Sequence, residues 1–336
     1  MGFAFATYFC MYAFRKPFGA ATFDGLEFLW GINLKTAFVI GQIIGYTLSK
    51  YYGCKYCSEI GRNQQAKALV LMIVIAEAAL LGFALLPGNL KVLAIFINGL
   101  PLGMVWGLVS RYLEGRKTAE LLFAGLSCSY IVASSSVKTI GGWVMQSGVT
   151  EFWMPATVGA VFFIPFVIAV FFLNQLPEPS TADISSRSER TVMDRGSRST
   201  FFRQFMGGMI MLLVLYFFLT AYRDVRDMYM PEVFKVLGYG PSPTLFSQAD
   251  WPIAFGIMVV MALLNLAKDH RRGLTAVFAV MMSGMLLMGG ATVLMDLEVI
   301  NGLWWMILVG FGAYLAYVPF GAVLFERIMA STKAAG

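Results

Sequence analysis

The chain has 336 residues, of which 58% are hydrophobic and 13% charged, and its mean hydropathy is +0.71. A soluble domain carries about twice that fraction of charged residues, so the composition excludes an ordinary soluble domain and indicates a polytopic membrane protein. The formal net charge of +6 does not indicate nucleic-acid binding, because the cations are not clustered on one soluble module.

Ten hydrophobic segments are long enough to be membrane spans, since a bilayer needs roughly 20 apolar residues per helix. The predicted fold is therefore an all-α polytopic membrane protein. The predicted spans are Gly2–Phe18, Leu34–Gly53, Lys67–Leu86, Val92–Leu113, Glu120–Met145, Phe152–Leu173, Phe205–Val233, Leu245–Ala267, Leu274–Leu294 and Gly302–Phe325.

The long polar segment from Glu178 to Thr200 is rich in Ser and Arg and has no apolar periodicity, which predicts a cytoplasmic linker. It separates six predicted helices from four. We therefore predict an N-terminal six-helix half at 1–177, a linker at 178–203 and a C-terminal half at 204–336. Because a repeat architecture needs six helices in each half, two helices are expected to be missing from the end of the chain.

The distribution of positive charge predicts the orientation in the membrane. Sixteen of the 25 Lys and Arg residues lie in the even-to-odd loops and the C-terminal tail, while the opposite side holds only Lys35, Lys91 and Lys235. Cytoplasmic loops carry the excess of cations. The N-terminus is therefore predicted to be cytoplasmic, in a multi-pass protein of the cytoplasmic or inner membrane.

Two adjacent cations, Arg15 and Lys16, lie within the aromatic first helix. A charge at the bilayer centre costs about 3 kcal/mol on insertion scales, so such a cation normally faces protein or a water-filled cavity. Tyr8, Tyr12 and Arg15 share one helix face by their spacing, and the forked donors of arginine suit a phosphate group. The alternative is that Arg15 and Lys16 mark the helix end and extend to the lipid headgroups.

The same pattern occurs in the second half of the chain. The sequence YFCMYAFR from Tyr8 to Arg15 matches YFFLTAYR from Tyr216 to Arg223 at four positions. Parallel repeats of this kind build transporters whose site lies between the halves near the membrane midplane. Arg15 and Arg223 are therefore expected to face one central cavity.

Several other charges within predicted helices have more than one interpretation. Arg223 is spaced to pair with Asp227 within one helix, or Asp224 and Asp227 serve as exchangeable partners when a substrate binds. Lys138 cannot reach the headgroups and needs a partner, for which Glu77 and Asp227 are the candidates.

The remaining candidate residues are also ambiguous. Lys50 lies one turn after Tyr46 and belongs either to the site or to the headgroup region. Asp250 accepts a proton or a substrate hydroxyl, or it caps the start of its helix. The two GxxxG steps from Gly99 to Gly107 are explained by close helix packing.

The sequence lacks the motifs of the common enzymes. It contains no HExxH, GxSxG or P-loop motif and a single histidine, His270. Cys54 and Cys57 form one CxxC pair without a second pair, so neither a metal site nor a disulfide framework is predicted. We expect no enzymatic activity and no cofactor.

The paired arginines carry a resemblance to a known family. Six plus six helices with a basic linker resemble the major facilitator superfamily. More narrowly, Tyr8, Tyr12, Arg15 and Lys16 resemble the first helix of the organophosphate:phosphate antiporters, which transport glycerol 3-phosphate and hexose 6-phosphate. The resemblance implies that Arg15 and its counterpart Arg223 bind the substrate phosphate.

Further positions match the family's pattern across the ten predicted helices. Tyr130 stands about where the family has a histidine in the fifth helix, and Pro231 follows Arg223 by eight residues as in the family. The other matching positions are Tyr46 with Ser49 and Lys50, Asp250, Gly310 with Phe311, and Tyr314, and the final residues 333–336 resemble the start of an eleventh helix.

The chain also departs from the family's pattern. The loop motif Asp-Arg-x-Gly-Arg of the superfamily is reduced to the sequence from Ser58 to Arg62, and the fifth-helix histidine is absent. Asp224, Asp227 and Lys138 are additional charges, which we assign to structural or coupling roles.

The resemblance implies a monomeric secondary transporter that moves a small anionic, phosphorylated metabolite by alternating access, in exchange for phosphate. Its expected partners are the solute and the lipid bilayer, with no nucleic acid and no obligate protein. Two alternatives remain open: a membrane sensor derived from such a transporter, and a transporter of a carboxylate or an amphiphile.

The predicted orientation can be tested by cysteine labelling in a cysteine-free background. Ser186→Cys, in the linker, should react with a membrane-impermeant reagent only after the cells are permeabilised. Lys235→Cys, on the opposite side, should react in intact cells. Labelling of Ser186→Cys in intact cells would contradict the orientation derived from the cations.

Overall fold

A computed structural model gives the fold of the chain. It describes residues 2–116, 119–178, 180, 183, 195–266, 269–325 and 327–328. Most of the predicted 178–203 linker and the final segment 329–336 therefore lie outside the described residues, and the predictions made for them stay predictions.

The described residues form eleven α-helices and no β-strand, which confirms the predicted all-helical class. Short 3-10 helices at Pro17–Ala20 and Leu29–Gly31 precede the second α-helix, and a π-helix at Phe320–Leu324 follows the last. The α-helices are α1 Gly2–Tyr12, α2 Leu34–Glu59, α3 Arg62–Leu85, α4 Leu90–Ser110, α5 Ala119–Gln146, α6 Met154–Asn174, α7 Arg195–Met228, α8 Met230–Val236, α9 Thr244–Asn265, α10 His270–Asp296 and α11 Gly302–Pro319.

Seven of these helices, in the part of the chain that the structure describes, are long and apolar enough to cross a membrane: α3, α4, α6, α7, α9, α10 and α11. Each corresponds to one of the ten predicted spans. The chain is therefore an all-α, multi-pass membrane protein. The six-plus-six arrangement remains a prediction.

The first predicted span, 2–18, was wrong in its extent, because α1 ends at Tyr12 and a 3-10 helix begins at Pro17. Two other predicted spans correspond to α2 and α5, which are 26 and 28 residues long. Both are long enough to cross a bilayer, which needs about 20 helical residues.

The chain divides into two compact units by its internal contacts. The first unit comprises Met1–Glu114, Cys128–Glu178 and Asp227–Trp251, and the second comprises Gly115–Ser127, Pro179–Arg226 and Pro252–Gly336. The halves predicted from the sequence, 1–177 and 204–336, do not coincide with these units. The segment from Asp227 to Trp251 follows the predicted linker along the chain and packs within the first unit.

Glycines set the distance between α2 and α4 in the first unit. A Cβ atom on Gly99 would lie 2.5 Å from the carbonyl oxygen of Gln42, and one on Gly103 would lie 2.6 Å from that of Tyr46. A Cβ atom on Gly45 would overlap the carbonyl oxygen of Phe96. The close packing predicted from the GxxxG steps is thus confirmed, and it brings the backbones of two helices together.

Substituting Gly99 tests this close approach. Gly99→Ala should destabilise the protein by about 1–3 kcal/mol, because the added methyl meets backbone atoms that cannot rotate away. Gly208→Ala on α7 is the matched control, since nothing lies within 4 Å of its Cβ position. Thermal unfolding of the detergent-solubilised variants would measure both, and equal midpoints would contradict the packing described.

Candidate functional site

The first helix, α1, ends shortly before the candidate arginine. The amide groups of Ala13, Phe14 and Arg15 donate to carbonyl groups three residues earlier, at 3.0, 3.1 and 3.0 Å, so the α-helical pattern ends there. Pro17 provides the local cause, because it has no amide hydrogen to donate to the Ala13 carbonyl and its ring would clash with that carbonyl in a continued helix. We refer to residues 13–16 as the break.

Two buried amide side chains satisfy the carbonyl groups that the break releases. The Nδ2 atom of Asn98 on α4 donates to the Phe14 carbonyl, and the Nε2 atom of Gln42 on α2 donates to the Arg15 carbonyl, both at 3.0 Å. Gln42 also donates to the Oδ1 atom of Asn98 at 2.9 Å. Both side chains are buried, and an unsatisfied backbone group in hydrocarbon costs several kcal/mol. The break is therefore a built feature of the fold.

The guanidinium group of Arg15 stacks on an aromatic ring. Its Cζ atom lies 4.0 Å from the ring centroid of Tyr46 on α2 and 5.9 Å from that of Tyr12. The ammonium group of Lys50, an exposed residue, lies 4.9 Å from the same Tyr46 ring. Tyr46 thus contacts two cations, an arrangement that cation–π attraction stabilises.

An aromatic series continues from this pair of tyrosines. Tyr12 and Tyr8 contact edge to face at 5.6 Å, and Tyr8 contacts Trp106 on α4 at 5.0 Å. Trp106 in turn lies 6.4 Å from Tyr130 on α5. The structure therefore links Arg15, Lys50 and the four predicted tyrosines of the first unit through ring contacts, with Trp106 as a member that sequence reasoning missed.

A single carboxylate joins two lysines next to the break. Asp227, near the end of α7, accepts from Lys16 at 2.5 Å and from Lys138 on α5 at 2.6 Å. The Ser134 hydroxyl donates to the same carboxylate at 2.6 Å, and Lys138 also donates to the Asp227 carbonyl at 2.8 Å. We refer to Lys16, Lys138 and Asp227 as the charge triad. It is buried and carries one net positive charge.

Further contacts continue from the charge triad along α8. Tyr229 and Thr36 share a hydroxyl hydrogen bond of 2.8 Å, and Lys35 contacts Glu232 at 2.5 Å. Lys35 had been assigned to a loop on the predicted outer side, yet it is fully buried at the start of α2.

The last contact of this series lies at the surface, where Lys235 donates to Asp24 at 2.9 Å. This hydrogen bond lowers the pKa of the Asp24 carboxyl and raises the pKa of Lys235. A lowered carboxyl pKa means that the stabilisation by the pair is lost as the pH falls through the folded-state pKa of Asp24. Because both side chains are more than 60% exposed, the contribution is small.

A cavity of about 530 Å³ lies in the first unit beside this surface pair. Its lining includes Asp24, Glu151 and Lys235 together with the rings of Phe234 and Phe246. None of the predicted substrate-binding residues lines it, so this cavity is distinct from the break and its surroundings.

The second copy of the repeated motif has a different environment in the second unit. The guanidinium group of Arg223 donates to Asp224 at 2.8 Å and lies 4.2 Å from the ring centroid of Tyr317 on α11. Tyr216 stacks on the same ring at 5.5 Å. Arg223 thus rests on a tyrosine of another helix, as Arg15 does in the first unit.

Arg226 also lies in the second unit and donates to the Met306 carbonyl at 3.0 Å. A Cβ atom on Gly310 would lie 2.5 Å from its guanidinium carbon. The glycine of the Gly310-Phe311 pair therefore makes room for Arg226.

The structure decides several of the alternatives left open by the sequence. The interpretation that Arg223 pairs with Asp227 was wrong. Asp227 pairs with Lys16 and Lys138, and Arg223 donates to Asp224. Of the two candidate partners of Lys138, Asp227 is confirmed.

Two of the predicted substrate-binding residues, Asp250 and Tyr314, are buried and lie within helices. Asp250 is fully buried in the second turn of α9 and does not cap its start, so that alternative was wrong. Tyr314 is buried within α11. The structure does not relate Arg15 to Arg223, so their shared cavity stays a prediction.

Buried cations outnumber buried acids in the first unit. Among its described residues, five cations have less than 10% exposure, compared with two aspartates, Asp227 and Asp250. The cations are Arg15, Lys16, Lys35, Lys91 and Lys138. This excess of positive charge favours an anion as the ligand of the surrounding site.

Comparison with known proteins identifies a family whose function is unknown. Residues 17–336 match the model of a family described as "Family of unknown function (DUF5690)". No curated protein matches the chain.

Variants of the charge triad should differ in stability according to the charges that they leave behind. Asp227→Asn leaves two buried lysines without their shared carboxylate and should cost about 3–5 kcal/mol. Lys138→Met leaves the Lys16–Asp227 pair intact and should cost clearly less. Thermal unfolding of purified protein measures the order.

Asp24→Asn is the surface control for this comparison. It breaks an exposed pair and should change stability by about 1 kcal/mol or less. If Asp227→Asn were no less stable than Lys138→Met, the triad would not hold the first unit together.

Proposed function

The chain belongs to the DUF5690 family, and because that family's function is unknown, we propose a function from the chain's own residues. The protein is a secondary transporter of the major facilitator type. It moves a small anionic, phosphorylated metabolite across the membrane by alternating access, in exchange for phosphate. The residues proposed to bind its phosphate group are Arg15 and Arg223.

The observation that carries this proposal is the break that follows α1, packed against membrane-spanning helices. A non-helical backbone at membrane depth is tolerated only where it is buried in protein or lines a cavity. Transporters use such discontinuous helices to form their substrate sites. Here the break presents Arg15 and Lys16 in succession, while Asn98 and Gln42 hold the released carbonyls.

The charge of the surroundings supports an anionic substrate. The charge triad is net positive, and buried cations exceed buried aspartates in the first unit. Arg15 adds a planar set of donors that matches two oxygens of one phosphate group. The tyrosine hydroxyls of Tyr8 and Tyr12 are additional donors for such oxygens.

Arg223 supports the proposal in a second way. A guanidinium group has five donor hydrogens in a planar fork, which suits the oxygens of a phosphate group. Stacking on Tyr317 fixes the plane of the guanidinium group. The repeated motif thus supplies an arginine held on a tyrosine ring in each unit.

Arginine-to-lysine variants test the proposed site chemistry. Arg15→Lys and Arg223→Lys keep the charge but lose the forked donors, and disrupting a buried charged contact costs about 2–5 kcal/mol. Affinity should fall roughly thirtyfold or more, since about 1.4 kcal/mol corresponds to a factor of ten. The measurement is ligand binding to purified, monodisperse protein. The panel contains glycerol phosphate, sugar phosphates, inorganic phosphate and small dicarboxylates.

Arg272→Lys is the control, because the Arg272 side chain is 90% exposed. It should bind like the wild type. Proteoliposomes loaded with phosphate then measure exchange: binding without exchange would identify a sensor instead of a transporter. If the wild type binds no phosphorylated compound, or if both arginine variants bind normally, the phosphate assignment is wrong.

A further inference from the structure

One carboxyl group in the membrane is not used by the site described above. Glu77 lies in the middle of α3, which is one of the seven helices that can cross the bilayer. Its Oε2 atom is buried and has no hydrogen-bond partner among the described residues. The pairing with Lys138 considered from the sequence does not occur, because Lys138 contacts Asp227.

The position opposite Glu77 is occupied by a glycine. A Cβ atom at Gly159 on α6 would overlap the Oε2 atom of Glu77 and would lie 3.2 Å from the Phe14 ring. Glu77 therefore fits against the bare backbone of α6, directly beside the break in the first helix.

The helices packed around α3 offer Glu77 no cation. The sequence of α6, from Met154 to Asn174, contains no ionisable side chain. The one ionisable residue of α4 is Lys91, which donates to the carbonyls of Phe83 and Ala84 near the end of α3. On α1 the ionisable groups are the phenols of Tyr8 and Tyr12 and the thiol of Cys10.

The cations of the break and of α3 itself contact other groups or are exposed. Lys16 contacts Asp227, and Arg15 stacks on Tyr46. On α3 itself, Arg62 donates to the Leu176 carbonyl, and Lys67 is exposed ten residues before Glu77, about 15 Å along the helix. A buried carboxylate without a counter-charge is costly in a membrane, whereas the neutral acid is not.

We infer that Glu77 is a proton-binding site: it holds a proton in this conformation and releases it as a carboxylate when the first helix moves. The step breaks the O–H bond of the carboxylic acid, and the proton passes to water. Asn98 connects the break to the backbone beside Glu77. Its Nδ2 atom donates to the Phe14 carbonyl in the break and to the Ala76 carbonyl on α3, both at 3.0 Å. Coupling of this proton to solute movement rests on the proposed function, while proton binding does not.

Infrared spectroscopy of the purified full chain tests proton binding without any solute. A carbonyl stretching band of a protonated, buried carboxylic acid should be present at neutral pH and should disappear in Glu77→Gln. Glu59→Gln, which removes an exposed carboxylate paired with Lys55, should keep the band. Wild-type protein made with ¹³C-labelled glutamate should show the isotope shift, which assigns the band to glutamate even if Glu77→Gln does not fold.

Either of two results overturns the inference: no protonated glutamate band in the wild type, or an unchanged band in Glu77→Gln. Transport is then measured separately in proteoliposomes with an entrapped pH indicator. Wild-type exchange should change the internal pH, and Glu77→Gln should exchange solute with loss of that signal. Absence of any wild-type exchange would count against the proposed function alone, because the infrared result does not depend on it.

Discussion

A bilayer supplies no water to the backbone, and this constraint governs the first unit. A helix that breaks inside hydrocarbon exposes carbonyl groups that must find donors within the protein. Gln42 and Asn98 supply them from α2 and α4, and the glycines between these two helices allow the backbones to come close. The position of Arg15 therefore depends on two uncharged amides and on close helix packing as much as on its own side chain.

The charge triad shows how a membrane protein retains buried lysines. Desolvating two ammonium groups is expensive, and the Coulomb attraction offsets that cost only with short, well-oriented contacts. Asp227 meets this condition because each of its carboxylate oxygens accepts from one lysine. The Ser134 hydroxyl also donates to the oxygen that contacts Lys138. The arrangement leaves one positive charge over. This net positive charge agrees with the anionic substrate that we propose.

The sequence predicted the helical class, seven of the spans and close packing at the α4 glycines, and it named Asp227 as one of two candidate partners of Lys138. These features depend on composition, spacing and the cost of burying charge. It missed the end of α1 at Tyr12, although Pro17 was a visible signal. It also missed Gln42, Asn98, Trp106 and Tyr317 as members of the sites. Gln42 and Asn98 could have been found as polar amide side chains within apolar helices. The ring partners follow from tertiary packing, which periodicity does not encode.

The contacts from Asp227 to Lys235 change steadily from buried to exposed. The side chains of the Lys16–Asp227 pair are 4% and 5% exposed, those of Lys35 and Glu232 are 1% and 30%, and those of Lys235 and Asp24 are 71% and 65%. Dissolved ions screen exposed charges over about 8 Å at physiological ionic strength and buried charges much less. Ionic strength therefore acts on this series unevenly: added salt weakens the outermost pair first and leaves the innermost one almost unchanged, so the exposed end of α8 loosens before its buried end.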